Sequence, residues 1–243
     1  MKAPRIFIPK GLRTGDRLRL EGGPARHIRV LRLRAGNPLV AFDGRGGEYA
    51  AELLAVDRRH VDIRVGAHSE VETESPLSLT LIQAVSKGER MDWTLQKAVE
   101  LGVQRLVPVF AERSVVNLDG ARLERRMGHW RGVVESACEQ CGRNRLPELL
   151  PAEPLAVAWQ RFRGGQNLVL DTAGACRLGE LGLDPHAGIN LLIGPEGGLT
   201  GAELAAAREA GFRALLLGPR VLRTETAGIA ALAALQSLWG DLG

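Results

Sequence analysis

The sequence predicts a two-part α/β protein: a small β-rich head over residues 1–70 and a larger body over residues 76–243 built on a parallel sheet. Short alternating segments separated by turn residues fill the first seventy positions. After residue 76, strands that are apolar throughout alternate with helical periods, the pattern of a parallel sheet covered on both faces. Between them "SEVETESP", residues 69–76, has no apolar period and ends in proline, which makes it the expected linker.

In the head, "RIFIP" and "DRLRLEG" read as strands, "PLVAFDGRGGEYAAELLAV" as two more joined through its Asp-Gly turn, and "HVDIRVGAH" as a fifth. The segment "PARHIRVLRLRAGN" has a helical period, with Ile28, Leu31 and Leu33 on the apolar side. Arg26, Arg29 and Arg32 recur at spacing three and share the other face. The expectation is a small β-barrel whose one helix presents three guanidinium groups together.

In the body, "LSLTLIQAV", "VQRLVPVFA", "NLVLDT", "INLLIG" and "RALLLG" read as strands. Helices are expected at "MDWTLQKAVELG", closed by Gly102, from about residue 121 to 142, at "GAELAAAREAG", and from about 226 to 239.

The chain is 45% apolar and 25% charged over 243 residues, which allows real cores and argues against disorder. No charge-free apolar run reaches a membrane span, and "AGIAALAALQSLWGDLG" reads as a buried amphipathic helix. The N-terminus lacks the apolar region of a secretory signal, so a cytoplasmic protein without membrane contact is expected. Three cysteines make no disulfide framework. Cys138 and Cys141 form one CxxC inside a helical stretch with no second pair, so they read as helix-packing residues, and no metal site is expected.

Charge is unevenly distributed. Residues 1–70 carry 14 Lys and Arg against 8 Asp and Glu, whereas residues 71–243 carry 18 against 20. The first 34 residues alone hold 10 bases and 2 acids. Most of these bases are arginine, suited to forked phosphate contacts, so the head points to a polyanion such as RNA. A solvated arginine-rich surface is the alternative.

Ligands of parallel sheets bind beyond the carboxyl ends of the strands. Two such ends carry unusual loops, "GPEGGLT" from Gly194, with a capping box of Thr200 and Glu203, and "LGPRVLRTETAG" from Leu217. Each begins with Gly-Pro after an apolar strand, which suggests that they lie side by side. Either could be a tight connection whose glycines serve geometry alone. A P-loop would need a lysine after its glycines, GxGxxG is absent, and Glu196 would repel a pyrophosphate. A ligand with a cationic centre and hydrogen-bonding edges fits better, and S-adenosylmethionine meets that description.

These motifs, with "KGERMDWTLQKAVELGV", "ERSVV", "EQCGR", "HIRVLRLRAGN" and "FDGRGGEY", span almost the whole chain in one order. The chain resembles the RsmE family of SPOUT methyltransferases, which methylate ring nitrogen 3 of one uridine in 16S ribosomal RNA. Cys141 stands where the motif often has serine. The resemblance implies a PUA-like RNA-binding barrel, an α/β domain with a deep trefoil knot, S-adenosylmethionine bound in the knot, and a homodimer acting on the small ribosomal subunit. It implies cofactor contacts from Leu170, from Ile193, Gly194, Pro195, Glu196, Gly197 and Gly198, from Leu217 and Gly218, and from Leu222, Arg223 and Thr224. Trp93, Leu95, Val99 and Leu101 are then core or dimer packing, Glu100 pairs with an arginine such as Arg113, and the alanine-rich last helix admits a close neighbour.

Uracil attacks through this nitrogen once its proton is lost, so a base and an anion-stabilising cation are expected. Arg223 is the first candidate for the cation, its other role being a helix-terminal salt bridge with Glu225. Glu225 and Glu196 are the candidate bases. Arg26, Arg29 and Arg32 are the expected phosphate contacts, with Arg34 and His27 added; His27 could equally be a half-buried packing residue. Competing functions are a SPOUT enzyme acting on a ribose 2′-hydroxyl or a tRNA guanine, and a non-catalytic ribosome-assembly factor.

Overall fold

The computed structural model describes residues 3–116, 118–162, 165–174 and 176–243. The chain divides into two compact units, Met1–Glu74 with Glu135–Leu146, and Ser75–Val134 with Pro147–Gly243.

The first unit contains β1 (Arg5–Phe7), β2 (Arg17–Leu20), α1 (Gly22–Val30), β3 (Pro38–Phe42), β4 (Glu48–Val56) and β5 (Val61–Ser69). The strands form one sheet in the order β1-β3-β4-β5-β2, with β1 parallel to β3 and the other pairs antiparallel. Alternation sets its inner face: Leu18 and Leu20, Leu39 and Ala41, and Val61, Ile63 and Val65 are buried. Ala25 and Ile28 of α1 join the same core.

The helix is shorter than its period suggests. It stops at Val30, and Arg32 has a left-handed φ of 56°. The Arg32 N–H donates to the Arg29 carbonyl (3.0 Å) and the Leu33 N–H to the Ile28 carbonyl (3.3 Å), a Schellman ending that folds Leu33 back onto the core. Arg32 therefore lies past the helix, off the face of Arg26 and Arg29, and Leu31 is exposed. Glycine usually marks such an ending; an arginine conceals it.

Residues 70–75 form no strand or helix, but they are not free chain. Arg143, buried, donates from Nε to Glu74 at 2.9 Å, Asn144 Nδ2 donates to the Val71 carbonyl (2.6 Å), and Thr73 donates to the Gly142 carbonyl (3.1 Å). Glu74 of the expected linker thus neutralises the arginine of "EQCGR".

The second unit contains β6 (Leu79–Ala84), α2 (Glu89–Glu100), β7 (Arg105–Phe110), α3 (Gly120–Cys141, whose last residues belong to the first unit), β8 (Glu148–Leu149), β9 (Glu153–Pro154), α4 (Leu155–Arg161), β10 (Gln166–Leu170), β11 (Ile189–Ile193), α5 (Gly201–Glu209), β12 (Phe212–Leu215) and α6 (Thr224–Trp239). Its sheet runs β12-β10-β11-β6-β7-β8, parallel throughout, and β9 also pairs with β7. Every residue of β6 is buried, as a central strand covered on both faces requires. The order places β10, β11 and β12 together, so their carboxyl ends open onto one region.

Helix α6 has α2 as a neighbour within the chain, and Gln236 donates to the Leu101 carbonyl at 2.7 Å. Gly102 has φ 76°, and a Cβ there would sit 2.8 Å from both Ser75 and Gln236, so this turn requires glycine. Leu95 and Val99 are buried, but Trp93 is 42% exposed and is not core. Glu100 pairs with Lys97 (2.7 Å), one helical turn away, and not with Arg113. Cys138 is buried, and desolvation pushes its thiol up to about 12. Among the described residues no cluster of three His, Cys, Asp or Glu could hold a metal, and no helix is long and apolar enough to cross a membrane.

Candidate active site

The two Gly-Pro loops meet. Between them and the end of β10 lies a cavity of about 710 Å³, within the range of small-molecule sites. Leu170, Ile193 to Leu199, Leu215 to Gly218 and Arg220 to Glu225 line it, joined by Arg90 and Arg113. Every residue named for cofactor contact or catalysis from the sequence is on this wall.

The first loop turns tightly, the Gly198 N–H donating to the Pro195 carbonyl (2.9 Å) with Gly198 at φ 70°. Thr200 then starts α5: its hydroxyl accepts the Glu203 N–H (3.2 Å) while Glu203 accepts the Thr200 N–H (2.8 Å). The same carboxylate accepts the Glu112 N–H (2.8 Å), and Arg113 donates to the Gly197 carbonyl (3.1 Å), fixing the loop from outside.

The second loop is tied to the first through Thr224. Its hydroxyl donates to the Gly194 carbonyl (2.7 Å) and accepts from Nε2 of buried Gln83 (3.0 Å), so β6, β11 and α6 are cross-linked at one point. The Thr224 hydroxyl is thus engaged by the protein itself. Arg223, the N-cap residue of α6, is exposed and makes no ion pair among the described residues.

The carboxylates are held by a residue that sequence reasoning missed. Arg90, in the first turn of α2, donates to Glu196 at 3.1 Å and lies 3.8 Å from Glu225, so one guanidinium faces both candidate bases. Glu196 also accepts the Lys87 N–H (3.4 Å). Glu225 Oε2 is buried and has no hydrogen-bond partner among the described residues. Arg90 stands in the quoted motif "KGERMDW"; its position after the carboxyl end of a central strand was the available signal. The alternative role for Arg223, a salt bridge with Glu225, is not formed among the described residues; Glu225 faces Arg90 instead.

In the first unit, Arg26, Arg32 and Arg34 are exposed, and Arg29 donates to the Asp57 carbonyl at 3.5 Å. His27 is half-buried, its Nδ1 2.7 Å from Glu139, whose other oxygen accepts the Phe7 N–H (3.0 Å). The hydrogen bond to Glu139 raises the His27 pKa, outweighing desolvation. A raised folded-state pKa adds stability that is fully present below the unfolded value, about 6.5, and is lost as pH rises through the folded value. Thermal melts should therefore show wild type losing more stability than Glu139→Gln as pH rises through that window; parallel curves would remove the pair from the ledger.

Residues 73–236 match the RNA methyltransferase domain family and residues 20–66 the RNA methyltransferase PUA domain family. A ribosomal RNA small subunit methyltransferase E from Buchnera aphidicola is 33% identical over 99% of this chain and 98% of its own length. This chain belongs to the RsmE family. The RsmE relative from Mycobacterium bovis is 35% identical over 86% of this chain and 83% of its own. Among solved structures, an RsmE from Neisseria gonorrhoeae bound to S-adenosyl methionine superposes with a TM-score of 0.95 at 42% identity, covering all of both chains. A methyltransferase from Legionella pneumophila in complex with the cofactor superposes with a TM-score of 0.96 at 38% identity. For an RsmE chain, the parallel sheet and the curled N-terminal sheet are thus the methyltransferase and PUA-like folds expected from the motifs.

Proposed function

We propose that this chain uses S-adenosylmethionine to methylate ring nitrogen 3 of a uridine in 16S ribosomal RNA. The observation that carries the reading is the cavity between the two Gly-Pro loops, in a chain that matches along its whole length an RsmE solved with that cofactor. The residues present suit the ligand. Two carboxylates, Glu196 and Glu225, complement a cationic centre, and Ile193, Leu217 and Leu222 supply apolar wall. At Gly198 and Gly218, φ is 70° and 74° and a Cβ would meet nothing within 4 Å, so these glycines serve backbone shape and leave the wall open.

When bound, the cofactor supplies a methyl group on a sulfonium, which leaves as a neutral thioether. The chain must take the proton from the uracil nitrogen and hold the ring in line. Glu225, with its free buried oxygen, is the base this reading favours; Glu196, already bonded twice through Oε1, serves the pocket electrostatics. Arg223 lies at the rim with its guanidinium uncommitted, suited to the negative charge that builds on the uracil oxygens. Arg90 is a positioning residue for both carboxylates.

The reading extends to a PUA-like domain over residues 1–70 and a knotted SPOUT domain over 76–243, a cytoplasmic homodimer, and RNA contacts from Arg26, Arg29, Arg32, Arg34 and His27. Trp93, exposed on α2, supports the dimer as a packing residue for a second copy.

A Cβ at Gly197 would lie 3.1 Å from the Arg113 side chain. Gly197→Val should therefore weaken S-adenosylmethionine binding tenfold or more in calorimetry, with little change in melting temperature. Equal losses of both would mean the loop is a folding element first.

The deciding experiment is methyl transfer from labelled cofactor to small subunits lacking the modification, followed by identification of the product base. Label in 3-methyluridine supports the reading. Label in a ribose gives another specificity, as does label in guanine when tRNA replaces the subunits, and an rRNA-binding protein that does not bind the cofactor is an assembly factor.

A further inference from the structure

The part of α3 that belongs to the second unit, Gly120–Val134, has two unlike faces. Met127, Trp130 and Val134 are buried. Arg122, Arg125, Arg126 and His129 recur at spacings of three and four and line a shallow concavity of about 380 Å³ with Leu118. Over these fifteen residues there are four arginines and one acid, Glu124, while residues 71–243 as a whole carry more acids than bases.

Two surface arginines elsewhere in this unit have acidic partners: Arg105 pairs with Glu148 (2.9 Å) and Arg161 with Glu153 (3.1 Å). Arg122, Arg125 and Arg126 make no side-chain hydrogen bond or ion pair among the described residues. The carboxylate of Asp92 on α2 is engaged by His129 at 2.6 Å. Like charges at these spacings destabilise a helix on its own. A line of phosphates laid along them reverses the sign of that term.

We propose that this face of α3 is a second RNA-backbone contact, carried by the methyltransferase unit itself and additional to the arginines of the head. It rests on the RNA reading above only for the identity of the polyanion. The row from Arg122 to His129 covers about 10 Å of helix. At about 3.4 Å of axial rise per phosphate of one strand, that is the span of two to three phosphates. Guanidinium forks suit them, and nothing in the row reads a base, so the contact positions the RNA without adding sequence preference.

The test is Arg122→Gln/Arg125→Gln/Arg126→Gln, measured by filter binding to protein-free 16S rRNA lacking the modification, over a range of potassium chloride. The affinity should fall about tenfold or more at about 0.1 M salt, and the log–log salt slope should become shallower by about 2, at roughly 0.7–0.9 per phosphate lost. S-adenosylmethionine affinity should not move and melting temperature should not fall, since all three side chains lie off the buried face and their mutual repulsion is removed. A variant that keeps wild-type affinity and slope overturns the proposal, as does one that changes only the oligomeric state in light scattering, which would make this face a protein interface. Wild-type protein that binds neither this rRNA nor small subunits lacking the modification overturns the functional reading and this inference with it; binding by wild type and an unchanged variant overturns this inference alone.

Discussion

Arg223→Ala is expected to lower kcat by about 10²–10³-fold while changing S-adenosylmethionine affinity little, the size of effect seen when one preorganised donor to a developing anion is removed. The role that would make the residue merely structural, a salt bridge to Glu225, is taken by Arg90 at 3.8 Å. Arg223 also makes no side-chain cap bond although it is the N-cap residue of α6, so its loss leaves the helix start intact. The helix is held there by Thr224, bonded to Gly194 and Gln83. Arg223→Lys keeps the charge but loses the planar fork and should recover only part of the rate. Single-turnover methyl transfer with calorimetry on the same preparation separates the outcomes. If turnover and cofactor affinity fall together, Arg223 is a cofactor ligand and not an anion stabiliser.

The pocket was legible because its parts are local. A glycine after an apolar strand, a capping box and a second Gly-Pro loop each announce themselves within a few residues, and the parallel order brings the strand ends together. What brings Arg90 to Glu196 and Glu225 is tertiary, across more than a hundred residues of chain, and no spacing encodes it. The end of α1 was hidden for the opposite reason: the turn is local, but arginine occupies the left-handed position where glycine would have signalled it. Strands β8 and β9, two residues each, are too short to carry any period. Matching Glu100 to a distant arginine failed because a lysine one turn away reaches it without cost to the fold.

Glu225→Gln should lose about 10²–10⁴ in kcat, the range of a positioned general base, and with it the acid limb of the rate–pH profile. Glu196→Gln should keep that limb and lose mainly cofactor affinity. The difference follows from what each carboxylate already does. Glu196 accepts from Arg90 and from the Lys87 amide, so its Oε1 is committed to the protein. Glu225 has only the longer approach of Arg90 on one oxygen, and the other is buried and unbonded, available to a proton. Glutamine preserves shape and cavity volume, so the comparison isolates the charge. Arg90→Gln is the control: it releases both carboxylates at once, and should lower the rate while leaving the acid limb in place, because the base is still present though no longer held. An acid limb that survives in Glu225→Gln and vanishes in Glu196→Gln would reverse the assignment. A limb that survives in both would mean that neither carboxylate takes the proton and that water does, with Arg223 carrying the charge alone.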